Sequence, residues 1–454
     1  MELAIQIFQF ILSISILVGL HELGHFIPAK LFKTKVEKFY LFFDPWFSIA
    51  KKKIGDTEYG IGWLPFGGYV KIAGMVDESM DTEQLKQPAQ PWEFRSKPAW
   101  QRLIIMLGGV TVNFFLAWLI YSSLSYFKGE TFHENDKFKN GISVTEAGEK
   151  MGLKSGDIIL KIDGKPAERF ETSTVNMLFA NEATVLRNGK EVTFPINEDG
   201  VADVLAENKA KLYFGPRFPV VIDSLFQNDA AMSAGLLKGD KIVAINSTPI
   251  HFFDEIKSVL LPLKNKDVIL DIERNNTPLR INAKVNKDGM LGFSNDMELA
   301  QKEFEKTEVT KKYTALEAIP RGLTRTIDVL TMQIKQFKII FNTKTEGYKK
   351  VSGPIGIVKQ MRVEKSKEGN LSINWEFFWS FTAMFSVWLA FLNLIPIPGL
   401  DGGHVMFTLW EMITGKPVPQ KVLESAQMIG VIFLLGLMVI IFGNDIVKAI
   451  AGKF

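Results

Sequence analysis

The chain has 454 residues, 47% of them hydrophobic, and 53 basic against 50 acidic residues give a net charge of +3. It is long enough for about two to four structural units, too apolar for an ordinary soluble chain and too near neutrality for one that binds nucleic acid. It contains no cysteine, which excludes disulfides and thiolate metal sites; the possible nitrogen ligands are five histidines, His21, His25, His133, His251 and His404.

Four apolar runs, at about 3–29, 103–127, 377–394 and 426–442, are each long enough to cross a hydrocarbon core of roughly 30 Å. No Lys or Arg precedes the first run and no small-residue cleavage site follows it, so it reads as a span rather than a cleaved signal. The segment after it is basic: Lys30, Lys33, Lys35, Lys38, Lys51, Lys52, Lys53, Arg95, Lys97 and Arg102. The excess of positive charge predicts that this segment is cytoplasmic. The N-terminus, residues 128–376 and the C-terminus are then outside, and the loop with Lys416 and Lys421 is inside.

Residues 128–376 contain a repeat. Gly152-Leu153-Lys154-Ser155-Gly156-Asp157-Ile158-Ile159 returns as Gly235-Leu236-Leu237-Lys238-Gly239-Asp240-Lys241-Ile242, an offset of 83 that Pro166 and Pro249 share. Each copy reads as a tight Gly-Asp turn followed by an alternating strand. The pattern resembles PDZ domains of the bacterial protease type, with copies expected at 130–215 and 216–296. The second half of the first copy, Phe170 to Asn197, is less patterned than its counterpart. A charged stretch follows at 300–312. An amphipathic helix is then expected after Pro320, with Leu323, Ile327, Leu330, Ile334 and Phe337 on one face, and Gly353-Pro354-Ile355-Gly356-Ile357 breaks the pattern.

His21-Glu22-Leu23-Gly24-His25 fits H-E-x-x-H. On a helix the two imidazoles share a face and can reach one ion, with Glu22 beside it as general base. Zinc suits such ligands. Three ionisable residues at the inner end of an apolar span are costly unless paired or bound. A third ligand is needed. The run Asn393-Leu394-Ile395-Pro396-Ile397-Pro398-Gly399-Leu400-Asp401-Gly402-Gly403-His404 unwinds the end of the third span, which offers Asp401. Asp401 could equally cap the next helix, and His404 competes as ligand. His133-Glu134 lacks a second histidine at the required spacing, and His251 before Phe252-Phe253 reads as ordinary packing.

Together, H-E-L-G-H, the two repeat copies and N-x-x-P-x-P-x-L-D-G resemble the site-2 protease family of intramembrane zinc metalloproteases, in its sigma-E-regulating bacterial branch with tandem PDZ domains. The resemblance implies that His21, His25 and Asp401 hold zinc, that Glu22 activates water and that Asn393 binds unwound substrate backbone. It implies that Pro65 to Ile72, with Gly67, Gly68 and Tyr69, belongs to a membrane-associated β-hairpin whose edge takes up substrate. Gly67-Gly68 alone would also suit a plain hairpin turn. Gly353-Pro354-Ile355-Gly356 is a further family-like element near the outer entrance.

The expected fold is an α-helical membrane bundle of four transmembrane helices with a β-hairpin, plus two tandem β-rich (α+β) PDZ domains. In chain order the segments are 1–30, the first span; 31–102, the cytoplasmic hairpin and loop; 103–127, the second span; 130–215 and 216–296, the PDZ copies; 300–376, amphipathic helices and linker; 377–410, the third span; and 411–454, a loop, the fourth span and a tail. The expected activity is hydrolysis of a peptide bond in or near the transmembrane segment of single-pass proteins. The resemblance implies anti-sigma factors and signal-peptide remnants as substrates, filtered by the PDZ pair, in the inner membrane with the PDZ copies in the periplasm. The rivals are a non-enzymatic PDZ membrane adaptor and a zinc transporter.

Overall fold

A computed structural model describes residues 1–75, 87–206, 213–227, 230–340, 351, 353–366 and 368–451. Residues 76–86 of the expected segment 31–102, residues 207–212 near the expected boundary of the repeat copies, and residues 341–350, 352 and 367 of 300–376 lie outside the described residues. The chain divides into two compact units: Met1–Gly129 with Lys312–Ile334 and Lys350–Phe454, and Glu130–Lys311 with Lys335–Lys349.

In the first unit, four helices are long and apolar enough to cross a membrane: Glu2–Leu31, Ala99–Phe127, Trp375–Leu394 and Gln420–Ile450. The third starts where the Asn374 side chain accepts the Phe377 N–H at 2.8 Å, and it ends before Pro396, which cannot extend it. The fourth is longer than its apolar run of 426–442, extending at its C-terminal end past the buried Asp445. Gln427 accepts the Gly399 N–H at 3.1 Å. The buried Asp445 carboxylate accepts the N–H groups of Gly353, Ile355 and Gly356 at 2.8, 3.0 and 3.1 Å, which gives the Gly-Pro-Ile-Gly element its anchor.

The first two spans cross at glycines. A Cβ on Gly24 would lie 2.4 Å from the Gly108 carbonyl oxygen, so neither position admits a side chain. Pro28 lacks the N–H that would bond the Gly24 carbonyl, which leaves that oxygen facing Gly108. Polar links tie the third span to its neighbours: Ser386 Oγ donates to the Asn113 carbonyl at 2.7 Å, and the Ser13 and Thr382 hydroxyls lie 3.0 Å apart. The helix Ala315–Ile340 begins before Pro320 rather than after it. Trp118 Nε1–H caps its Ile319 carbonyl at 2.8 Å, and Gly322 lies against the Ser122 backbone.

The expected hairpin is a curled sheet. Its two strands, Val36–Ile54 and Thr57–Ile72, fold back so that Lys38–Leu41 pairs with Glu58–Ile61 on one side and with Gly68–Lys71 on the other. The bend is set by Phe42 and Trp46, whose φ angles are 69° and 72°. The tight turn is at Gly55, not at Gly67-Gly68. Gly67 (φ 120°) instead opens the segment Gly68–Ile72, whose outer side is paired with no other strand among the described residues.

In the second unit, both repeat copies form a four-stranded sheet of the same order. In the first this is Lys165–Pro166, Ile158–Ile162, Glu182–Arg187, Lys190–Pro195; in the second, Thr248–Pro249, Lys241–Ile245, Asp267–Arg274, Thr277–Lys284. The less patterned stretch from Phe170 to Asn197 holds the same helix and two strands as its counterpart. Each copy adds a pair, Ile142–Val144 with Phe214–Pro216 and Ile222–Leu225 with Phe293–Asn295.

The Gly-Asp turns explain the conserved spacing between the copies. Asp157 accepts the Lys154 N–H at 2.8 Å and pairs with Arg187 at 2.7 Å; Asp240 does the same with the Leu237 N–H and Arg274. Burial pushes the Asp240 carboxyl up, but the Arg274 guanidinium and the Leu237 N–H outweigh it and hold the group below its usual range. Its contribution is therefore present above about pH 4 and is lost as acid protonates it. Asp240→Ala is expected to destabilise the second copy, since it takes the acceptor from the Leu237 N–H and the carboxylate from Arg274. Hydrogen exchange along Lys241–Ile245 would read the loss.

Candidate active site

His21 and His25 lie one turn apart on the buried face of the first span. Their Nε2 atoms are 3.3 Å apart, and Asp401 Oδ2 lies 3.2 Å from each. An ion held tetrahedrally at roughly 2.0–2.1 Å from three donors separates them by about 3.3 Å, which is the triangle seen. Asp401 Oδ2 is buried and accepts no hydrogen bond. Among the described residues this is the one group of three whose donor atoms converge on a possible ion.

The space at the centre comes from a glycine. A Cβ on Gly109 of the second span would lie 2.4 Å from His25 Nε2 and 2.5 Å from His21 Cε1. The second span also orients the rings. His25 Nδ1 is 2.8 Å from the Ile105 carbonyl, which can accept only from Nδ1–H and so leaves the Nε2 lone pair for a metal. Asn113 Nδ2 lies 3.1 Å from His21 Nδ1.

Asp401 is the first residue of the helix Asp401–Thr414, and Leu400 holds the cap position. The loop before it is seated by glycines. A Cβ on Gly402 would meet the Ile395 carbonyl at 2.3 Å, one on Gly403 the Ile397 carbonyl at 2.8 Å, and one on Gly430 the Pro398 carbonyl oxygen at 1.5 Å. Asp401 thus sits in the first turn, where a carboxylate is favoured by the helix dipole, while its Oδ2 reaches the histidines.

Asn393 Nδ2 is 3.2 Å from His21 Nε2, so the third-span asparagine reaches the centre. Glu22 follows His21 on the first span, within electrostatic reach of His25, His21, Asp401 and the Val70 backbone of the curled sheet. Gly68 is on the same edge, where a Cβ would come within 2.9 Å of Val18 on the first span. The edge at Gly68 thus lies against the first span. The Tyr69 ring stacks on Tyr40, and its hydroxyl donates to Asp44 at 2.9 Å, which commits that side chain to the sheet.

The remaining histidines stand apart from the centre. His404 lines a cavity of about 280 Å³ with Arg102, Thr408 and Glu411. His133 pairs with Glu171 at 2.5 Å and stacks on Phe304. His251 is exposed rather than packed, and its backbone N–H donates to Glu255 at a helix start. Sequence reasoning did not single out Gly24, Gly108, Gly109, Asn113 or the Ile105 carbonyl. The side chains among them had a signal: an asparagine and paired glycines inside an apolar span are unusual there and mark close helix contact.

The model of Peptidase family M50 matches residues 9–437. The Regulator of sigma E protease of Haemophilus influenzae is 29% identical over 471 residues, covering 97% of this chain and 98% of that protein. The Regulator of sigma-E protease RseP of Escherichia coli is 27% identical over 456 residues, covering 96% and 97%. A Clostridium perfringens relative that carries zinc metalloprotease in its name is 27% identical over 439 residues, covering 96% and 97%. With four helices long and apolar enough to cross a membrane among the described residues and a family match across most of its length, the chain belongs to Peptidase family M50 and is a zinc metalloprotease of the site-2 protease type.

Proposed function

We propose that the protein hydrolyses a peptide bond in or near the transmembrane segment of single-pass membrane proteins, with His21, His25 and Asp401 as zinc ligands and Glu22 as general base. The observation that carries this reading is the triangle of Nε2, Nε2 and Oδ2 with sides of 3.2–3.3 Å, set beside Glu22 and an open strand edge. Zinc at this centre supplies Lewis acidity toward the scissile carbonyl and lowers the pKa of water. Glu22 takes the proton of the attacking water and returns it to the leaving amine.

A peptide bond within a helix is shielded by its own hydrogen bonds, so the substrate must unwind first. The backbone edge from Gly67 through Tyr69 takes up the unwound segment by strand addition, and the Asn393 amide holds it further. The repeat copies, as PDZ domains at 130–215 and 216–296, face the periplasm and admit shortened substrates. Two of the relatives are named as regulators of sigma E. We therefore assign anti-sigma factors, together with remnant signal peptides, as substrates at the inner membrane.

The reading is tested by incubating the purified protein with a single-pass substrate and mapping the cut by mass spectrometry. Products ending within or beside the apolar segment are expected. A cut confined to a distant polar domain, or none, would overturn it.

A further inference from the structure

We propose that Asn113 is a positioning residue that sets the tautomer of His21 by accepting its Nδ1–H through the amide oxygen. The inference rests on the metal-centre reading above. His25 obtains the tautomer it needs from the Ile105 carbonyl at 2.8 Å. His21 needs the same arrangement: Nε2 must keep its lone pair to face the ion beside Asp401, so Nδ1 must carry the proton and give it to an acceptor. The group against His21 Nδ1 is the Asn113 amide, 3.1 Å away and completely buried in the second span.

In the structure the amide nitrogen faces the ring, and Asn113 Oδ1 is buried without a partner. No other bond of Oδ1 therefore holds that orientation. The two ends of an amide have the same shape and are told apart only by the bonds they make. Turning it puts the orphaned acceptor on Nδ1–H and leaves Nε2 free. The residue is well placed for this duty, because Ser386 of the third span fixes its backbone carbonyl at 2.7 Å. The other asparagine at the ring, Asn393, meets Nε2 and cannot set Nδ1.

Zinc affinity of the full-length protein, measured by chelator competition in detergent, tests this separately from proteolysis. Asn113→Leu, similar in size but without an acceptor, is expected to bind zinc about 10–100-fold more weakly. Asn113→Asp, which can only accept, is expected to stay within about threefold of the wild type, since carboxylates are common outer partners of metal-bound histidines. Loss of affinity in Asn113→Asp would overturn the proposal even if Asn113→Leu does not fold. So would wild-type affinity in a folded Asn113→Leu. A wild-type protein that binds no zinc would instead sink the metal-centre reading on which the proposal rests.

Discussion

Gly109→Ala is expected to empty the metal centre while leaving the second span helical. Alanine is the better helix former by about 1 kcal/mol, so the backbone has no reason to unwind. The new Cβ, however, would sit 2.4 Å from His25 Nε2 and 2.5 Å from His21 Cε1, inside any real contact distance. Both rings are held from behind, His25 by the Ile105 carbonyl and His21 by Asn113, so they cannot retreat without losing those partners. The methyl group would also meet His25 at its Nε2, the atom that faces Asp401. Metal analysis should find little zinc in this variant, with helix content by circular dichroism unchanged. Gly436→Ala, where a Cβ meets nothing within 4 Å, is the matched control and should keep its zinc.

The second large effect separates the two candidate third ligands. Asp401→Ala is expected to lose zinc by more than the roughly 10–100-fold that removal of an outer partner costs, because it deletes a donor itself. His404→Ala is expected to keep its zinc. The distances make this asymmetry: Asp401 Oδ2 is 3.2 Å from both histidine nitrogens, whereas His404 faces the cavity beside Arg102 and Glu411. Undiminished zinc in Asp401→Ala, with loss in His404→Ala, would reverse the assignment.

Much of this was legible in the sequence because it follows from spacing or composition. Histidines four residues apart share a helix face, and the broken end of the third span had to place its Asp-Gly-Gly somewhere useful. The offset of 83 announced two like folds, and the sheets repeat the same strand order. What stayed hidden depends on packing. Nothing in H-E-L-G-H says that Gly24 must meet Gly108, or that the ring of His25 leans on a carbonyl eighty residues away. The expected fourth span stops at 442 because hydropathy counts Asp445 as solvent-seeking, although its buried carboxylate accepts the N–H groups of Gly353 and Gly356. The helix Ala315–Ile340 starts ahead of the expected point because proline usually marks a start, and here Pro320 falls within the second turn. The membrane-associated hairpin expected at Pro65 to Ile72 curls back on itself, which the sequence hides because the fold-back relies on positive φ at Phe42 and Trp46, residues that rarely adopt it.

In the proposed mechanism Glu22 is a base beside a metal that other residues hold. The most direct measurement compares wild type with Glu22→Gln for cleavage of a single-pass substrate and for zinc content in the same preparations. The expected result is a fall in cleavage of roughly 10²–10⁴-fold, the usual worth of a general base, with zinc retained, since His21, His25 and Asp401 are untouched. Cleavage by Glu22→Gln at the wild-type rate would contradict it.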